Sequence, residues 1–142
     1  MPISPLTLLR KVVGNTRWIR LIRIVVRIGQ GPRFEELAKQ VKAAEEKGNP
    51  NARSWISQSA AGERASVYYV AELQSSLAGF DGAPALPQMM SKDAYQDLLK
   101  TASEVIQTED VTLNRFVPEL SNPPADTVNA APDFWRPKAA TP

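Results

Sequence analysis

The sequence predicts an all-α fold: three or four helices followed by a long, extended, proline-rich C-terminal arm. Three observations carry that expectation. Apolar residues recur at helical spacing between residues 92 and 106. Glycine and proline punctuate the chain where helices would start and stop. Six of the twelve prolines lie after residue 115, where they forbid a long helix or a central strand.

Residues 1–30 read as a basic amphipathic arm. Pro2 and Pro5 open an extended lead-in, and a helix is expected from Leu6 with a weak point at Gly14 and Asn15. Thr16 suits an N-cap for its continuation to about residue 28. That stretch is rich in β-branched residues, so a strand competes. The spacing of Arg17, Arg20, Arg23 and Arg27, at 3, 3 and 4 residues, favours a helix with all four on one side. In a strand Arg20 would point away from the other three.

Residues 31–107 read as a helical domain. Pro32 fits a first helical turn, Glu35 and Glu36 suit the N-terminal dipole, and Gly48 followed by Asn49 and Pro50 ends the segment. Its apolar stripe is single and narrow: Phe34, Leu37, Val41 and Ala44. A third helix is expected from Ser54 to about Gly79, with Val67, Val70, Leu73 and Leu77 on one face. A fourth starts at Ser91 and carries Tyr95, Leu98, Leu99, Ala102, Val105 and Ile106 on its buried side. Residues 108–142 form the arm, whose apolar residues are too scattered to make a core of their own.

The composition bounds the chemistry. The chain has neither cysteine nor histidine, so thiolate metal sites, disulfides and histidine acid–base catalysis are excluded. Carboxylate, lysine and tyrosine chemistry stays open. Seven basic residues and no acid lie in residues 1–33. The remainder, with 10 basic and 15 acidic side chains, carries a charge of −5. A basic arm on an acidic body points to an anionic partner for the arm.

Each motif has a plainer reading. The segment from Gly29 to Phe34 lacks the third glycine of a phosphate loop and reads as a turn between helices. Asp93 and Asp97, Glu45 and Glu46, and Glu109 and Asp110 read as surface charge, and Tyr68 and Tyr69 as packing. The functional expectation is therefore a non-catalytic accessory subunit of a larger assembly, using no cofactor and no metal. The arm resembles an organelle transit segment, which suggests a mitochondrial inner-membrane complex such as a respiratory-chain or ATP-synthase assembly. The alternatives are a capsid-type structural protein and a ribosomal-type, nucleic-acid-associated subunit. In the leading reading Arg17, Arg20, Arg23 and Arg27 meet an anionic surface, of a membrane rather than of nucleic acid. Phe116, Phe134 and Trp135 then anchor the arm in other protein subunits.

Overall fold

The structure, a computed structural model, describes residues 4–138. Residues 1–3 and 139–142, the outermost parts of the expected lead-in and arm, lie outside the described residues.

Helix α1 spans Pro5–Gly14, opened by Ser4, whose hydroxyl accepts from the Thr7 amide. It does not resume after Asn15. The Thr16 hydroxyl instead donates to the Val12 carbonyl at 2.8 Å, so Thr16 closes this helix rather than opening another. The chain then enters strand β1, Trp18–Val26. The β-branched run overrides the arginine spacing because side chains on both faces of this strand find neighbours across the sheet.

Gly29, at φ 78°, turns the chain from β1 into helix α2, Gly31–Gly48. The left-handed conformation costs glycine little, and here it lets helix follow strand within four residues. Next come two strands where a third helix was expected: β2, Ser54–Gln58, and β3, Ser66–Gln74. A single turn α3, Ala78–Asp81, and a 3-10 turn at Leu86–Gln88 lead to helix α4, Lys92–Val105. Ser91 caps α4 as expected, its hydroxyl accepting from the Ala94 amide at 3.2 Å. Strand β4, Ile106–Arg115, follows without a loop. The tail ends in a 3-10 turn at Pro118–Leu120, helix α5, Ala125–Ala130, and helix α6, Pro132–Trp135.

The strands form one sheet in the order β2-β3-β1-β4, and every neighbouring pair is antiparallel. With α2 after β1 and α4 after β3, this is the βαββαβ order of a ferredoxin-like fold. The expected all-α class is thus corrected to α+β. Two of the expected helices are strands, and the first ten residues assigned to the extended arm are mostly β4.

The core lies between one sheet face and the helices α2 and α4. Ile24, Val26, Phe34, Leu37, Tyr68, Leu98 and Val105 are buried together there. The other sheet face carries Ile19, Leu21, Val25 and Tyr69, all half-buried.

The tail has its own seat. Val128 and Trp135 are buried, and the Trp135 indole Nε1 donates to the Gly14 carbonyl at 2.8 Å. The approach of α5 to α1 is so close that a Cβ on Gly14 would lie 2.6 Å from the Thr127 carbonyl oxygen. The arm is therefore not extended. Its prolines begin short turns at Pro118 and Pro132; α5 between them packs on α1, and Trp135 of α6 reaches Gly14 at its end.

Candidate functional site

A cavity of about 840 Å³ opens between α2 and the sheet. It exists because α2 is a poor lid. Its apolar stripe is narrow, and its cavity-side positions include the small Ala38. A helix that covers a sheet fully presents a broader apolar face. Ile22 and Ile24 from β1, Val70 from β3 and Ile56 from β2 line the floor, with Val41 of α2 opposite. The register puts Ile22, Val70 and Ile56 side by side on the helix-facing side of three adjacent strands.

Two polar ends bound this apolar middle. At the N-terminal end of α2 the Tyr68 hydroxyl donates to the Glu35 carboxylate at 2.9 Å. Burial, then the Glu35 charge, push the Tyr68 phenol above its ordinary value, so it keeps its proton and remains a donor. The ring of Phe34 lies 4.5 Å from that of Tyr68, centroid to centroid, and holds it in place.

At the other end stand Glu45 of α2, Ser54 of β2 and Glu72 of β3. Burial raises the Glu45 carboxyl above the ordinary carboxylate range. The Glu72 charge adds to the shift and the Ser54 hydroxyl opposes it. Glu72 is itself paired with Arg20, directly across the β1–β3 ladder. The Arg20 guanidinium also lies 5.2 Å from the Phe80 ring centroid.

The four expected anion-binding arginines do not form one surface. Arg20 sits on the helix-facing side with Glu72, whereas Arg23 lies on the opposite face and reaches Glu63 at 3.0 Å and Asp110 at 3.8 Å. Arg17 donates to the carbonyls of Gly14 and Thr16 and stacks 3.7 Å above the Phe134 ring. Arg27 is exposed in the turn after β1. Arg10 and Arg33 of the same basic segment meet Asp126 at 2.9 Å and Glu104 at 2.6 Å. Arg10, Arg20, Arg23 and Arg33 thus find their acids in distant parts of the chain.

Phe116, Phe134 and Trp135, the expected anchors, are brought together. Trp135 packs edge-on against both of the other rings, at 5.4 and 5.0 Å. Sequence reasoning missed the cavity residues. Glu35 was assigned to a helix dipole, Glu45 to surface charge and Tyr68 to packing. The usable signal was the narrowness of the α2 stripe.

No family model matches the chain, and no curated protein matches it in sequence. Solved structures share its fold. A Pseudomonas aeruginosa protein aligns over 72% of this chain and 95% of its own, with 10% identity and a TM-score of 0.51. A Methanosarcina mazei protein aligns over 73% and 97%, with 15% identity and the same TM-score. A Streptomyces nogalater protein described as a cofactor-independent oxygenase overlaps more loosely, over 72% and 94%, with 11% identity and a TM-score of 0.47. That activity belongs to that protein.

The expectation of a structural subunit in a mitochondrial membrane complex is corrected by these findings. It rested on an all-helical body with a basic arm and a free tail. The chain is instead an α+β domain of ferredoxin-like fold with a large cavity, and its tail folds against its own first helix. Among the described residues no helix is long and apolar enough to cross a membrane. Carboxylate and tyrosine side chains, the chemistry that the composition leaves open, border the cavity.

Proposed function

We propose that this chain binds an apolar small molecule in the cavity between α2 and the sheet. The observation that carries the reading is the cavity itself. Its roughly 840 Å³ falls in the size range of small-molecule sites, and its exposed walls are mainly apolar, with Ile22, Val70 and Ile56 on the sheet and Val41 on the helix. A bound apolar molecule would take this apolar surface out of water, which is favourable.

Titration calorimetry with n-octanol and 2-naphthol tests the reading. Both should bind the wild-type chain, and Ala38→Phe, which fills the cavity from α2, should weaken both without lowering stability. Absence of binding by the wild-type chain to either probe refutes it.

Glu45 supports a second, enzymatic reading. A carboxyl whose proton affinity is raised beside an apolar cavity is suited to proton transfer. It would take a proton from the carbon next to a bound carbonyl, leave the electron pair on the enolate oxygen, and return a proton to the same carbon. Deuterium uptake from heavy water into 2-octanone, lost in Glu45→Gln, is the expected result. Uptake unchanged by that substitution removes Glu45 from the role.

A further inference from the structure

We infer that the molecule held in this cavity is an amphiphilic amine, with its apolar body over the sheet and its ammonium group at Glu45. The inference rests on the cavity being a small-molecule site and adds the chemical class of the ligand.

The first argument is the pattern along α2. Glu35, Ala38, Val41 or Lys42, and Glu45 all border the cavity and fall on one side of the helix. Ten residues at 1.5 Å each separate Glu35 from Glu45 by about 15 Å. Between them the helix offers Ala38 and Val41, and the sheet offers Ile22, Val70 and Ile56. The shape suits an elongated apolar body with a polar group at its end.

The second argument is the state of each charge at the cavity. Glu72 has Arg20 as its partner. Glu46 has Lys42 at 3.0 Å. Glu35 accepts the Tyr68 hydroxyl. The lysines that border the cavity are engaged on their own helix and well exposed: Lys39 with Glu36 at 2.8 Å, and Lys42 with Glu46. Glu45 is half-buried and, among the described residues, has no ion pair.

The charged groups around Glu45 do not remove its need. Glu72 faces it from β3 and repels it, and Arg20 behind Glu72 on β1 is already paired. β2 faces it with the Ser54 hydroxyl, which carries no charge. An ammonium group placed at Glu45 would offset both its desolvation and its repulsion from Glu72. A neutral ligand would leave those costs in place. An anionic ligand would raise them and would find no unpaired lysine among those bordering the cavity.

The test uses the full-length chain and three probes of one chain length: n-octylammonium, n-octanol and octanoate, each below its aggregation concentration at pH 8. Calorimetry should give octylammonium the tightest binding, about tenfold or more over octanol, equivalent to roughly 1.4 kcal/mol. Octanoate should be weakest. Glu45→Gln should bring octylammonium level with octanol, while Glu35→Gln should leave the preference in place. Octanol binding as tightly as octylammonium to the wild-type chain overturns the inference yet leaves the cavity a small-molecule site. The same holds if Glu45→Gln stays folded by circular dichroism and keeps the full preference. Binding by none of the three overturns the site itself.

Discussion

Replacing Trp135 with alanine asks whether the C-terminal segment belongs to this chain's own core. Trp135 is 5% exposed, contacts two aromatic rings edge-on, and bonds to the Gly14 carbonyl. Truncating a buried tryptophan costs about 3–5 kcal/mol. The hydrogen bond is the smaller part of that loss. The Gly14 carbonyl also accepts from Arg17 Nη1 at 3.0 Å, so it is not left bare when the indole is removed. Its share is about 1 kcal/mol, the ordinary net value of such a bond. Trp135→Phe should therefore cost about 1–2 kcal/mol, bond plus partial loss of packing, and Trp135→Ala the full amount. Urea unfolding followed by far-ultraviolet circular dichroism measures both. A total stability of about 5–15 kcal/mol leaves the phenylalanine variant folded and measurable even where the alanine variant is not. A cost below about 1 kcal/mol for Trp135→Ala, with an unchanged denaturant slope, would show that the tail's seat on α1 contributes nothing to the fold.

Two further predictions concern the end of the cavity. A double-mutant cycle on Arg20→Gln and Glu72→Gln should give a coupling of about 0.5–1 kcal/mol, since both side chains are partly exposed and solvent screens the pair; a coupling of zero dismisses the pair as a stabilising contact. The Glu45 carboxyl stands above its ordinary value of 4.5 in the folded chain, so between the unfolded and folded values the native state binds more protons. Glu45 therefore makes stability fall as pH rises through that window, and Glu45→Gln should remove the fall; urea midpoints from pH 4 to 8 that show wild type gaining on the variant as pH rises would reverse the assignment.

Helices were legible where local signals and tertiary packing agree. The Gly31 and Pro32 start, the Gly48 stop and the Ser91 cap all act within one turn of the chain, and α2 and α4 lie where those signals put them. The sheet was not legible, because its pairings join distant residues. Ser54 looked like a helix cap and Val67, Val70 and Leu73 like one helical face. Yet Ile56 is paired with Val70, and Val70 with Ile22, which no local spacing announces. The tail misled for a related reason. Val128, Thr127 and Trp135 are too scattered to form a core alone, but α1 supplies the missing wall from the other end of the chain.

The conformation of β1 decides both the charge layout and the site. As a helix, residues 17–27 would gather four arginines on one side and leave them in need of an external anion. As a strand, Arg20 points to the face opposite Arg23, and the sheet delivers acids to both: Glu72 opposite Arg20, Asp110 and Glu63 beside Arg23. Placing Arg20 on the helix-facing side also places Glu72 there, at the end of the cavity and within electrostatic reach of Glu45. Arg20 neutralises one of the two carboxylates and leaves the other short of a cation. The charges of Arg20 and Arg23, which looked like part of a surface for binding anions, are thus met within the chain, and at the cavity the unmet electrostatic demand has the opposite sign. An amine meets that demand, whereas an anionic partner does not.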